Sequence, residues 1–204
     1  MYNPVKFKFE DVEQAYSLMH QNPFAILITV VDGKPVVSQV PMTVKRNEGK
    51  LEIIGHLARG NPHSKALAKL QATVVFQGPH TYVTPVWYAK DDVPTWNYLT
   101  VHASGPVELI EDHDGIVGCL KELVDQVEHY WPSGWKFFIP EDLSDDALAK
   151  NIVGFQIKVE EISFKKKLSQ NRSAEDFLGV VTGLATRKDE NSLAIQREMK
   201  NILK

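Results

Sequence analysis

The stretch FAILITVVDGKPVVSQVPMTVKRNEGKLEIIGH, residues Phe24 to His56, holds three β-forming runs joined by two tight-turn sequences. Phe24 to Val31 is dominated by β-branched and aliphatic residues, and Asp32-Gly33 supplies the pair of positions at positive φ that a two-residue hairpin turn requires. Pro35 to Val44 is then the returning strand. Asn47-Glu48-Gly49 turns the chain again into Leu51 to His56, where Leu51, Ile53 and Gly55 alternate with Glu52, Ile54 and His56. Consecutive strands joined by turns this short pair antiparallel, which argues against a doubly wound parallel sheet.

Upstream, Asp11 opens a helical pattern with Val12, Ala15, Tyr16 and Met19 three or four residues apart, ending near Asn22-Pro23. Downstream, Asn61-Pro62 reads as a cap followed by proline at the first helical position, starting a short helix over Ser64 to Leu70. Thr73 to Phe76, Thr81 to Tyr88, Thr95 to Ala103 and Pro106 to Ile110 read as four strands, broken by Gly78-Pro79, the Lys90 to Pro94 turn and Gly105. Asp112 to His129 is the longest helical pattern, with Ile116, Leu120, Leu123, Val124 and Val127 forming its apolar stripe. After the aromatic turn Trp131 to Trp135, one helical turn is expected over Ala147 to Asn151, then strands over Ile152 to Ile162 and Phe164 to Leu168. Ser173-Ala-Glu-Asp176 matches a capping box for a helix from Ala174 to about Ala185, and Asn191 or Ser192 can cap a last helix carrying Leu193, Met199, Ile202 and Leu203. Seven to nine short strands without regular strand-helix alternation predict a mainly β, α+β fold built on a closed barrel with flanking helices. The expected organisation is one domain over 1–188 and a helical tail over 189–204.

Composition narrows the function. Cys119 is the sole cysteine, so neither an intrachain disulfide nor a cysteine-built metal site is available. With 23 Lys plus Arg against 26 Asp plus Glu, the chain carries a formal charge of -3, so nucleic-acid contact would need a local basic patch. Lys165-Lys166-Lys167 with Arg172 is one such run and Arg187-Lys188 another; both read first as solvated faces. No apolar stretch is long enough to cross a bilayer and the first eleven residues lack a signal-peptide core, so the protein is expected in the cytoplasm.

Five segments concentrate polar, glycine and aromatic residues beyond what turns require. Ser38 and Gln39 are adjacent on a strand and therefore point to opposite faces, so one faces solvent and the other a core or a ligand. Gly55 to Lys65 runs from a strand end into a helix start, and its free N–H groups with Arg59, His63, Ser64 and Lys65 form an anion-site candidate; the alternative is an Asn61 cap with cations facing water. His80, Tyr82, Trp87, Tyr88, Trp96 and Tyr98 lie on neighbouring strands, as core packing or as a groove for a planar ring. Gln170, Asn171 and Arg172 follow the lysine-rich strand without a local structural reason. His56, His63 and His80 lack the spacing of a metal site, and no nucleophile elbow, dinucleotide fingerprint or Walker loop is present, so no metal and no catalytic residue is assigned.

Met1-Tyr-x-Pro4, Gly55-His-Leu-Ala-Arg59 with Asn61-Pro62, Gln77-Gly-Pro-His80, Pro94-Thr-Trp-Asn-Tyr98, Val101-His102, Ile152-Val-Gly-Phe155 and Leu168-Ser-Gln-Asn-Arg-Ser173 together resemble the PaiB family of FMN-binding negative transcriptional regulators. The resemblance implies a split β-barrel related to the pyridoxamine-phosphate oxidases, working as a homodimer with FMN held at the subunit interface. It implies a phosphate site at Ser38, Gln39, His56, Leu57, Asn61, Ser64 and Lys65; Gln77, His80 and Trp96, which stand in two of the resembling motifs, are further cofactor-binding candidates. Lys167, Gln170 and Arg172 correspond to the segment that reaches the flavin across the dimer in related barrels; the competing reading pairs Arg172 with Glu175 or Asp176. The chain departs from the oxidases at Pro35-Val36-Val37, where they begin the strand with arginine. A flavin-dependent oxidoreductase is the alternative function, and the family label implies transcriptional regulation that is either indirect or dependent on DNA contact through the basic patch at Lys165 to Lys167.

Overall fold

The computed structural model describes residues 1–68, 70–140, 148 and 150–202. In chain order its strands are β1 (Lys8–Phe9), β2 (Phe24–Val31), β3 (Lys34–Asn47), β4 (Lys50–Ala58), β5 (Gln71–Val83), β6 (Thr95–Ile110), β7 (Ile152–Lys158) and β8 (Glu161–Lys167). Its helices are α1 (Val12–Gln21), α2 (Pro62–Ala66), α3 (His113–Tyr130), α4 (Ala174–Ala185) and α5 (Glu190–Ile202). Both hairpin turns take the expected form: Asp32 and Gly33 sit at φ 50° and 75°, Glu48 and Gly49 at 50° and 79°. Those turns set the registers Val31↔Lys34 and Asn47↔Lys50, so the side-chain phase of three strands follows from four residues.

The chain divides into two compact units. The larger comprises 12–76 and 102–162. Here β5 pairs with β2, β2 with β3, β3 with β4, β4 with β7 and β7 with β6, while β6 lies beside β5, so six strands close on themselves as a barrel. Leu27, Met42, Ile53, Phe76, Phe155 and Ile157 are fully buried within it. Helix α3 packs on β3, β4 and β7, which is why β4 is buried on both faces and the simple in-out alternation expected for Leu51 to His56 does not appear. Gln126 of α3 joins three elements, accepting from Thr43 of β3 and donating through Nε2 to the His20 carbonyl of α1 at 3.0 Å.

The smaller unit comprises 1–11, 77–101 and the described residues from 163 onward. Strand β1 pairs with β8 through Lys8↔Lys165 and Phe9↔Phe164, and β8 lies beside β6. Helices α4 and α5 pack together with Leu184, Ile195 and Met199 fully buried, so α5, read from sequence as a tail, is integral to this unit's core. Ser173 caps α4 as expected, whereas the cap of α5 is Asp189, whose carboxylate accepts from Ser192 N at 2.9 Å, and not Asn191 or Ser192. Gly179 and Gly183 receive the 85–87 turn: an ideal Cβ on Gly183 would lie 2.2 Å from the Trp87 ring.

Two expected strand breaks do not exist. Gln71–Val83 runs continuously through Gly78-Pro79, and Thr95–Ile110 runs through Gly105. Gly105 is glycine for another reason, since an ideal Cβ there would meet the Lys158 carbonyl oxygen at 1.8 Å. The helical turn expected over Ala147 to Asn151 is present where it is described, at Leu148, Lys150 and Asn151; Ala147, Ala149 and the final Leu203 lie outside the described residues. Among the described residues no helix is long and apolar enough to cross a membrane.

Gly105→Ala is expected to lower unfolding free energy by at least about 2 kcal/mol, because the clash is with backbone that cannot rotate away. Gly118→Ala in α3, where nothing lies within 4 Å of an added Cβ, should instead raise it by about 0.5–1 kcal/mol. Urea midpoints of the two variants that moved in the same direction would contradict this account.

Candidate functional site

The predicted site residues fall into two groups, one in each unit. In the larger unit Ser38 is half-buried on the inward side of β3 and Gln39 is exposed, as two adjacent strand positions must be. Asn61 caps α2: its Oδ1 accepts from His63 N at 3.0 Å, and its Nδ2 donates to Ser38 Oγ at 3.3 Å. His63 is only 1% exposed. Its Nδ1 lies 2.9 Å from Ser38 Oγ and its Nε2 3.0 Å from Thr29 Oγ1 on β2. Burial pushes the His63 pKa below its ordinary value, so this imidazole is a neutral hydrogen-bonding group and not the cation expected of an anion site.

The rest of the expected anion site is committed locally. Ser64 is buried, its backbone N–H donates to the Asn61 carbonyl at 2.9 Å and its hydroxyl to the Arg59 carbonyl at 3.2 Å. Arg59 itself pairs with Glu111 at 3.0 Å. Lys65 is exposed. Leu57 points its side chain into the core, while His56 on β4 is half-buried and its Nδ1 has no hydrogen-bond partner among the described residues.

In the smaller unit Gln77, His80, Trp96 and Tyr98 line one open cavity of about 440 Å³. Trp96 is 46% exposed and its ring stacks against His80 with centroids 5.8 Å apart and planes inclined by 28°. The indole N–H donates to His80 Nδ1 at 3.2 Å, so Nδ1 accepts and the ring's donor is Nε2–H. Gln77 Nε2 donates to the carbonyls of Gly78 and Leu99 at 3.3 and 3.4 Å, fixing its amide.

Behind this cavity the two motif segments of the unit are cross-linked. Lys167 Nζ donates to Thr95 Oγ1 at 2.6 Å, and buried Asn97 bonds Ser169 Oγ through Nδ2 at 3.0 Å. These contacts hold the residues on either side of Trp96 and direct its ring to the opposite, open face. Ser169 sits at φ 62°, a conformation that Gln170 secures by accepting from Leu168 N and donating to the Lys166 carbonyl, each at 2.6 Å. Arg172 bonds Asp92 and, through Nη2, the Val93 carbonyl at 3.3 Å, with its guanidinium 4.4 Å from the Tyr88 centroid. Within the chain its carboxylate partner is thus Asp92, eighty residues away, and not the Glu175 or Asp176 of the competing reading.

The basic run is likewise not a solvated face. Lys165 and Lys166 are 6% and 7% exposed; Lys165 donates to the Tyr2 carbonyl at 3.0 Å and Lys166 pairs with Glu198 at 2.8 Å. Among the described residues no group of His, Cys, Asp or Glu could hold a metal. Thr29 is one of the residues that sequence reasoning passed over, with Asp92, Asn97 and Ser169. The signal for Thr29 was present, as the one polar residue in phase with buried Ala25 and Leu27 on an otherwise apolar strand.

Residues 1–161 match the family model described as "Putative FMN-binding domain". The chain is 33% identical to the protease synthase and sporulation protein PAI 2 of Bacillus subtilis strain 168, over all of this chain and 99% of that protein. It superposes on the FAD and heme binding protein of Mycobacterium smegmatis with a TM-score of 0.63 at 20% identity, covering 84% of this chain and 78% of the other. For the flavocytochrome Anf3 of Azotobacter vinelandii the TM-score is 0.61 at 17% identity, covering 84% and 75%. At these identities the two solved structures establish the shared fold, a split barrel flanked by helices.

Three histidines share the lowered pKa. Burial lowers those of His56 and His63 below 6.5, and for His20 burial acts first and the nearby charge of His129 second. An unfolded histidine binds its proton as pH falls through 6.5 while these folded ones resist, so their contribution to stability is complete above that pH and is lost below it. The urea midpoint is expected to drop between about pH 7.5 and about pH 5.5, and His56→Gln should flatten part of the drop. Equal wild-type midpoints at the two pH values would contradict the burial of these rings.

Proposed function

The chain belongs to the PaiB family of proteins with an FMN-binding domain, and we propose that it is a flavin-binding regulatory protein that holds FMN at a homodimer interface. The observation that carries the reading is the cavity lined by Gln77, His80, Trp96 and Tyr98, where a half-exposed indole is locked in place from behind. A flavin ring needs a flat apolar face and a few donors to its carbonyl and ring-nitrogen acceptors. Trp96 offers the face, and His80 Nε2–H and Tyr98 O–H offer the donors. The phosphate needs donors too, and Ser38 and Lys65, of either protomer of the dimer, are the residues proposed for it. Lys167, Gln170 and Arg172 act in this reading as supports of the Trp96 strand and the 90–94 turn.

The dimer is supported by the outward face of the β2–β3 hairpin. Phe24, Ile26, Ile28 and Val30 stand on it opposite Pro41, Gln39, Val37 and Pro35. Phe24, Val30 and Val37 are 64%, 57% and 56% exposed, an apolar ladder of the kind that soluble chains cover with a partner. The regulatory part rests on the family. Since Lys165 and Lys166 are buried and paired, the proposed output is the occupancy or redox state of the flavin, not phosphate neutralisation by that run.

Added FMN is expected to shift its visible spectrum and quench tryptophan fluorescence, with Trp96→Ala weakening binding by at least about tenfold, about 1.4 kcal/mol. Ile28→Asp should turn a sedimenting dimer into a monomer. A folded protein that leaves the spectrum of roughly 0.1 mM FMN unchanged would overturn the flavin reading, since that concentration detects any affinity near the weak end of specific binding. A wild-type monomer at micromolar concentration would overturn the interface.

A further inference from the structure

Asn61 Oδ1 accepts from the His63 N–H at the start of α2, and only an oxygen can do so. The amide is therefore oriented, and its Nδ2 must be the group that faces Ser38 Oγ at 3.3 Å, as a donor. The imidazole is oriented from its other end. Thr29 is buried at 1% exposure and its hydroxyl meets His63 Nε2 at 3.0 Å. If Nε2 carried the hydrogen, the Thr29 hydroxyl proton would be left buried without this acceptor, at a cost of about 1–3 kcal/mol. With Nε2 as acceptor, the hydrogen of the neutral ring sits on Nδ1 and points at Ser38 Oγ, 2.9 Å away.

Ser38 thus accepts twice, from Asn61 and from His63. A hydroxyl has two acceptor lone pairs and one hydrogen, so both lone pairs are filled and the O–H is left to donate elsewhere. We infer that His63 is a positioning residue that makes Ser38 a donor only, so that the site around Ser38 selects a group rich in acceptor lone pairs, the phosphate end of FMN, and disfavours a hydroxyl that must itself donate. The inference rests on the flavin reading for the identity of the ligand but not for the state of the imidazole. That state is a property of the free protein. Thr29, His63 and Ser38 come from β2, α2 and β3, so the chain of bonds ties the hydroxyl's direction to the barrel interior.

Long-range proton-nitrogen correlation spectra of the labelled, flavin-free protein at neutral pH decide the first half. His63 is expected as the Nδ1–H tautomer, and an Nε2–H tautomer overturns the inference outright. Thr29→Val, which removes the hydroxyl at nearly constant volume, should release the ring to a mixture of tautomers; an unchanged Nδ1–H signal would show that Thr29 does not set it. FMN and riboflavin, which differ by the phosphate, decide the second half. His63→Leu should weaken FMN at least about tenfold while leaving riboflavin within about twofold, and His63→Asn, which restores a donor near Nδ1, should recover most of the loss. Equal losses for both ligands would mean a structural role only and sink the proposal. If His63→Leu does not fold, Ser38→Ala carries the same expectation. A wild-type protein that binds FMN and riboflavin equally would refute phosphate selection at Ser38, and with it the ligand half of the inference. Failure to bind either flavin would instead refute the flavin reading, while the tautomer spectrum still decides the state of His63.

Discussion

The barrel exists because two backbones come into contact where β6 passes the end of β7. At Gly105 a side chain would have to occupy the position of the Lys158 carbonyl, and beside it Glu160 N donates to the Ser104 carbonyl at 2.9 Å. From that contact the ladder Val107↔Ile157 to Ile110↔Gly154 follows, and it converts what would be two open edges into a closed wall. Glycine recurs in this wall for related steric reasons. A Cβ on Gly55 would stand 2.6 Å from the Phe155 ring, and one on Gly154 would stand 3.1 Å from Cys119 Sγ. The ring of Phe155 fills the space that Gly55 leaves, so one fully buried aromatic is the counterpart of one missing side chain.

Closure also determines which polar groups the interior can hold. Inside the closed wall a polar side chain must find its partners among its neighbours, and Thr29 and His63 find each other. The thiol of Cys119 follows the same logic from the opposite side. Burial raises its pKa to about 11, with the carboxylate of Glu122 adding to the effect, so it is an inert small apolar group of the α3 packing and not a reactive one. The same enclosure that keeps His63 neutral keeps Cys119 protonated. Both are cases of burial favouring the uncharged form.

What could be read from the sequence was what local chemistry determines. Asp32-Gly33 and Glu48-Gly49 gave two hairpins and their phase, Asn61-Pro62 gave a helix start, and Ser173 gave another. The errors share one cause. Gly78-Pro79 and Gly105 look like breaks because a glycine needed for turning and a glycine needed for close approach look alike in sequence. The basic run misled for the same reason: Lys165 and Lys166 find Tyr2 and Glu198 more than thirty residues away, and no local rule reports that. Of the candidate site, the aromatic positions and the Ser38–Gln39 split were legible from strand periodicity. The Asp92–Arg172 and Asn97–Ser169 links were not, since each joins segments more than seventy residues apart.

Those long-range links bear on what the smaller unit can do chemically. Gln170 spends both ends of its amide on its own turn, Lys167 spends its ammonium on Thr95, and Arg172 spends its guanidinium on Asp92 and Val93. Burial lowers the Lys167 pKa, and the neighbouring charges of Lys165, Arg172 and Lys6 act in the same direction, so this cation is held at a cost that its hydrogen bond to Thr95 offsets in part. Side chains bound in this way set the position of Trp96 more firmly than they could if they also had to release and recapture a ligand. A rigid aromatic face loses little freedom when a planar ring settles on it, and that economy favours tight, reversible occupancy. A flavin brings its own electron chemistry to such a face and needs from the protein only position and a few oriented donors. What the proposed flavin site asks of this unit is therefore a fixed face and oriented donors, and the long-range bonds behind Trp96 supply the first of these.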